Sequence, residues 1–280
     1  MKKYMWPILI WVIFESLAVS LTVMKQNPFF LFNFSYIGTS IAAGMILFIR
    51  KWKYARRLVQ FLVGSYMLVF LGLMGHENMQ IEGFWYYLFT GSFEAATIHY
   101  AIAKIFGPLI FGRGWCGYCC WTAMILDLLP FRQPNKDGKH QRKKIGFIRY
   151  ITFAAALLLV SLLFVLGVSD AEKQRIMFLA FIIGNLAYYA AGIALAYAFK
   201  DNRAFCKYIC PVTVFLKPMA YFSALRIKVD TDKCINCKAC LRACPMDVDM
   251  LDPRRSRKNG TECILCDECA RACPKDAIVS

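Results

Sequence analysis

The sequence predicts an α-helical multi-pass membrane domain followed by a small α+β domain, and three observations carry that reading. Hydrophobic residues make up 59% of the 280 positions, and mean hydropathy is +0.45. The apolar residues fall in repeated runs close to the roughly 20 residues that cross a bilayer, such as 151–168 and 176–199. Thirteen cysteines stand in tight groups rather than scattered as a disulfide framework would be.

Six spans are expected, at about Met5–Val23, Phe29–Ile49, Leu58–Met74, Ala95–Phe111, Gly146–Val168 and Ile176–Phe199. Met1-Lys2-Lys3 before an apolar stretch resembles a signal peptide, but no small-residue cleavage pattern follows. The segment is therefore read as the first span. The aromatic stretch Phe84–Phe93 is expected in the membrane interface.

Net charge is +16. With the N-terminus inside, all but four of the 34 Lys and Arg residues fall on the inner side, the exceptions being Lys25, Lys104, Lys173 and Arg175. Positive-inside bias therefore explains the charge and sets both termini and every cysteine group in the cytoplasm. A nucleic-acid partner is not expected, and a reducing compartment suits free thiolates. The expected location is the cytoplasmic (inner) membrane, with lipid around the spans.

Residues 131–145 form a polar, basic linker with Pro134 and Gly138, which separates a first membrane half (1–130) from a second (146–224). Each half ends in Cys-x3-Cys. Cys116 and Cys120 recur as Cys206 and Cys210, displaced by 90 residues. Residues 225–280 hold a second repeat: Cys234, Cys237, Cys240 and Cys244 recur as Cys263, Cys266, Cys269 and Cys273, displaced by 29.

Both tail runs read C-x2-C-x2-C-x3-C-P, the ligand pattern of bacterial ferredoxins, in which the fourth cysteine serves the other cluster. A two-[4Fe–4S] ferredoxin-like domain is expected over 225–280. One cluster is assigned to Cys234, Cys237, Cys240 and Cys273, the other to Cys263, Cys266, Cys269 and Cys244. The first three cysteines of each run should wrap a cubane from a loop, and the fourth should open a helix toward the other cluster. Ile227 and Val229, and Ala277 to Val279, alternate as short covering strands. A zinc site fits poorly, because zinc takes a single set of four ligands.

In the membrane part, a helical Cys-x3-Cys would aim two sulfurs the same way. If the halves pack together, Cys116, Cys120, Cys206 and Cys210 converge at the membrane surface. Three uses compete: an additional iron–sulfur cluster, a metal ion such as copper, or redox-active thiols. Buried cysteines acting as small apolar residues are the plain alternative.

With Phe111-Gly-Arg-Gly-Trp-Cys116 and Phe205-Cys206-Lys-Tyr-Ile-Cys210-Pro in view, residues 95–280 resemble the polyferredoxin-type membrane iron–sulfur family. Its members include the ferredoxin-type quinol dehydrogenase subunit of periplasmic nitrate reductase systems, the cupric reductase of cytochrome oxidase assembly and the regulator of nitrous oxide reduction. The resemblance implies electron flow between a quinol pool or cytoplasmic donor and a partner protein. Trp121 stands where the family has proline, and Cys119 adds a third thiol.

The expected function is therefore membrane-bound electron transfer through two [4Fe–4S] clusters and a membrane-surface cysteine site, as a component of an oxidoreductase. A metal (copper or iron) reductase or metalloenzyme maturation factor is one alternative, and a redox-sensing regulator another. Glu15, Glu94, His99 and Lys104 lie in or near spans, where ionisable groups are costly and often functional. The last three could shape a quinone or proton site, or simply pair internally. Haem is not expected, since His76, His99 and His140 fall at three different depths. Arg254, Arg255, Arg257 and Lys258 are either a solvated loop or a dock for an acidic ferredoxin or flavodoxin.

Overall fold

The computed structural model describes residues 2–92, 95–132, 143–251 and 256–279. Among these, five helices are long and apolar enough to cross a membrane: Tyr4–Lys25, Phe29–Ile49, Ala55–Met74, Ile145–Val165 and Asp170–Phe199. They correspond to α1 (Lys2–Lys25), α2 (Phe29–Ile49), α3 (Ala55–Ser65, continued as π turns over Tyr66–Met74), α9 (Ile148–Val165) and α10 (Asp170–Phe199). At 1.5 Å per residue, the 30 residues of α10 extend about 45 Å. Ser169 caps α10 by accepting from the Glu172 N–H, and Lys200 closes it in the left-handed region.

The fourth expected span is shorter. Residues Ala96–Phe111 form an apolar helix below spanning length, built from α5 (Ala95–Tyr100), π turns over Ala101–Phe106 and α6 (Gly107–Phe111). The aromatic stretch before it, expected at the interface rather than across the membrane, forms α4 (Ile81–Thr90), a helix of 10 residues with Ile81, Phe84 and Tyr86 buried against α9 and α10. Aromatic partners hold it there. Phe84 meets Tyr100 and Phe215 at centroid distances of 4.9 and 5.7 Å, and Trp85 meets Phe153 at 5.8 Å.

Helices α1, α2 and α3 pack side by side. At Gly44 a Cβ would lie 1.8 Å from Val59, so only glycine permits that approach of α2 to α3. The outer faces of α1 and α9 remain apolar and exposed, as lipid contact requires: Trp6, Ile8, Val12, Leu158 and Leu162 are examples.

The membrane halves end in two short helical hairpins: α7 (Gly114–Tyr118) with α8 (Trp121–Leu126), and α11 (Ala204–Tyr208) with α12 (Thr213–Tyr221). The tail carries β1 (Lys228–Val229), α13 (Ala239–Ala243), α14 (Ser256–Gly260), α15 (Glu268–Arg271) and β2 (Ile278–Val279). β1 and β2 pair antiparallel, with Val229 opposite Ile278. Most of the 131–145 linker, together with Glu94, His140, Arg254 and Arg255, lies outside the described residues.

Candidate functional site

The two tail motifs repeat in backbone as well as in sequence. Positive φ occurs at Asn236, Lys238 and Asp247, and again 29 residues on at Leu265, Asp267 and Asp276. The fourth cysteine of each run accepts from a backbone N–H four residues later: Val248 to Cys244 Sγ at 3.4 Å, and Ala277 to Cys273 Sγ at 3.3 Å. Each short helix carries the third cysteine and stops before the fourth, which corrects the expectation that the fourth opens a helix. The following proline holds that residue extended, as Cys244 shows (φ −74, ψ 118).

One small cavity is lined by Cys234, Cys237, Cys240 and Cys273, and another by Cys244, Cys263, Cys266 and Cys269. Each therefore draws three thiols from one run and one from the other. Burial pushes the Cys244 and Cys263 thiols up to about 12. A cationic metal centre would offset that burial and let them ligate as thiolates, as an iron–sulfur core requires.

The second constellation lies at the end of the membrane helices. Cys116 sits inside α7 and Cys206 inside α11, while Cys120 and Cys210 lie beyond those helix ends. The expected continuous helical face is thus replaced by a broken one. Pro211 disfavours helix at Cys210, and Cys120 is likewise extended (φ −75, ψ 120). Trp121 reproduces the turn without a proline because its indole N–H donates to Asn185 Oδ1 at 2.7 Å, pinning it to α10. Cys120, Cys206 and Cys210 share one buried cluster, and all four thiols lie within electrostatic reach of one another. Cys119 occupies the place that Ile209 takes in the other half. It packs with Met67, Ala103 and Trp121, so it serves as a small apolar residue.

The two constellations meet. Cys116 packs in one buried cluster with Cys244, Met246, Ile264 and Cys266. Tyr118 donates to Leu265 O at 2.9 Å, and a Cβ at Gly117 would lie 2.4 Å from Ile264 O. Charge holds the seam. Glu262, beside Cys263, receives Arg113, Arg149 and Lys217. Burial alone would raise its carboxyl, but Arg113 and Lys217 hold it below the ordinary glutamate value. Lys207 bridges Asp201 (2.8 Å) and Asp247 (2.7 Å). Asp127 joins Arg56 (2.8 Å) to Arg203 (2.5 Å). In sequence, a basic residue before each Cys-x3-Cys, Arg113 and Arg203, marks the seam, whereas nothing local marks Asp127, Glu262 or Asp247 as its partners.

Of the other residues singled out, Glu15 accepts from Ser35 at 2.6 Å. Lys104 lies over the Trp115 ring at 5.1 Å, and His99 meets the same ring at 5.0 Å. Arg257 and Lys258 are exposed.

Residues 226–276 match a 4Fe-4S dicluster domain, and residues 99–136 and 176–230 match a 4Fe-4S binding domain. The second match spans both Cys-x3-Cys hairpins. The chain is thus a ferredoxin-type iron–sulfur electron-transfer protein with membrane helices. An uncharacterised protein of Methanocaldococcus jannaschii is 30% identical over 217 residues, covering 74% of this chain and 80% of that one. The methylamine utilization ferredoxin-type protein MauN of Methylobacillus flagellatus is 24% identical over 238 residues (77% and 83%). MauN of Paracoccus denitrificans is 25% identical over 153 residues (54% and 54%). No solved structure matches. The chain belongs to the polyferredoxin-type membrane iron–sulfur family.

Proposed function

We propose that the protein relays electrons one at a time along three iron–sulfur centres in a fixed spatial order. The outermost is a [4Fe–4S] cluster on Cys234, Cys237, Cys240 and Cys273, where Cys237 and Ile235 are exposed to a partner. The next is a [4Fe–4S] cluster on Cys244, Cys263, Cys266 and Cys269. The third is a cluster on Cys116, Cys120, Cys206 and Cys210, at the end of six membrane segments on the cytoplasmic side.

The packing of Cys116 against Cys244 and Cys266 carries this order, because it sets the membrane thiols directly beside the second set. The donor set is four cysteines, as in the tail, and the matching 4Fe-4S binding domain covers both pairs. When bound, the clusters supply reversible one-electron carriers. The protein's own groups fix their spacing, exclude water from the inner two and leave the outer one reachable.

The partner at the outer cluster is a soluble redox protein, which would meet the exposed Cys237 and Ile235. A quinol is the alternative small-molecule donor. A cleft of about 540 Å³ runs between Cys234 and Cys263, lined by Leu225, Arg226, Ile227 and Met250, and has the size and mixed character of such a site.

Iron and acid-labile sulfide, measured with low-temperature EPR on anaerobically purified protein, test the reading. Three cubanes give about twelve iron atoms, and two give about eight. Eight would remove the membrane cluster, and zinc in place of iron would overturn the whole assignment.

A further inference from the structure

The two hairpins that carry the membrane cysteines are tied together reciprocally. Arg113 stands three residues before Cys116, and its guanidinium donates to the backbone oxygen of Cys206 at 3.1 Å. Arg203 stands three residues before Cys206, and it donates to the backbone oxygen of Cys116, also at 3.1 Å. Each arginine thus spans from its own motif to the first cysteine of the other. Both are sealed from solvent, at 0% and 1% exposure.

Burying a guanidinium is costly unless anions meet it. Arg203 has Asp127 in a two-pronged pair, with Nε to Oδ1 at 2.8 Å, but Asp127 is shared with Arg56. Arg113 has Glu262, which is shared with Lys217 and Arg149. Around the four thiols these buried networks, with Lys207 and its two aspartates, hold six cations against four carboxylates. Arg113 Nε is buried with no hydrogen-bond partner, and Arg203 Nη1 lies 4.0 Å from Cys206 Sγ. Cation surplus, an unused donor and an N–H directed at a sulfur all point to an anion between the hairpins. A thiolate-ligated cubane is such an anion, and its negative charge grows by one on reduction.

We infer that Arg113 and Arg203 are positioning residues that clamp the two Cys-x3-Cys hairpins around the membrane cluster and raise its reduction potential. This rests on the third cluster proposed above. Hydrogen bonds to sulfur and local net charge are the levers that tune such potentials. The arginines favour the reduced form because it is the more negative one. The cross-bonded carbonyls make the charge and the geometry inseparable: releasing one guanidinium both opens the hairpins and removes a cation.

The test is redox titration of the full chain in detergent, followed by EPR, on paired variants of opposite charge effect. Arg203→Gln should make the membrane cluster at least tenfold harder to reduce, about 59 mV lower for a one-electron couple. Asp127→Asn should shift it the other way, and Arg203→Lys should recover at least half of the Gln shift. The potential of the outer tail cluster should stay unchanged in all three. Should Arg203→Gln fail to retain the third cluster, Arg113→Gln and Asp127→Asn carry the same opposed comparison. Loaded variants whose potentials stay within twofold of the parent equilibrium, or shift in one common direction, overturn the clamp. Iron at about eight atoms in the parent protein would instead remove the third cluster itself, so the two failures are distinguishable.

Discussion

The two halves of the tail share a motif, a backbone and a hydrogen-bond pattern, yet the molecule uses them differently. Ile235 and Ile264 occupy the same position of the repeat, 29 residues apart; the first is 58% exposed and the second 2%. Cys237 is exposed while its counterpart Cys266 is buried. The difference comes from outside the repeat, from Gly117 and Tyr118 of the first membrane hairpin, which receive the Ile264 loop. The same cysteine spacing thus gives one set exposed at the surface and one set seated on the first membrane hairpin.

Ways to break this asymmetry are ordered by expected effect. Cys206→Ser should abolish the proposed membrane cluster, lowering iron from about twelve atoms to about eight while the tail signals persist; metal analysis checks it. Gly117→Val comes next. Its side chain would fall on Ile264 O, so the second loop should lift away and Ile264 should gain the exposure of Ile235, read by hydrogen exchange over residues 261–266.

Glu262→Gln leaves Arg113 in a buried site without its carboxylate, a change that costs about 3–5 kcal/mol when a buried pair loses one partner. Chemical denaturation monitored at the tail checks it. The same carboxylate predicts a pH effect. Its folded value is depressed, so its contribution is complete above the ordinary value of 4.5 and disappears as pH falls through the lower folded value. Proteolytic release of the tail should therefore rise in acid in the parent protein, and Glu262→Gln should flatten that dependence.

The smallest effects sharpen the comparison directly. Ile264→Ala should cost about 2–5 kcal/mol. Ile235→Ala should stay within about 0.5 kcal/mol, unless the outer partner is present.

The repeat of the tail was legible in sequence, because eight cysteines recurring at a displacement of 29 leave little freedom, and the β1–β2 pair follows from short alternating segments. Five of the expected spans were legible for a similar reason, since crossing a bilayer demands length and apolarity together. The fourth was harder to read: an apolar stretch of 16 residues satisfies hydropathy without satisfying length. The packing of α4 depended on aromatic partners in α5, α9 and α12, which no local pattern announces. Cys119 was ambiguous in sequence and resolved only by its place opposite Ile209. The seam was illegible because Arg113 and Glu262 are 149 residues apart, and their pairing exists only once the tail is seated.

The most direct test of the central claim is freeze-quench EPR after mixing the oxidised protein with a soluble reductant. The account predicts that the tail signals appear first and the membrane-cluster signal after them. In Gly117→Val only the second phase should slow, by tenfold or more. A membrane cluster that is reduced at the same rate in both proteins, or ahead of the tail, would contradict a relay that runs through the seated half of the ferredoxin domain.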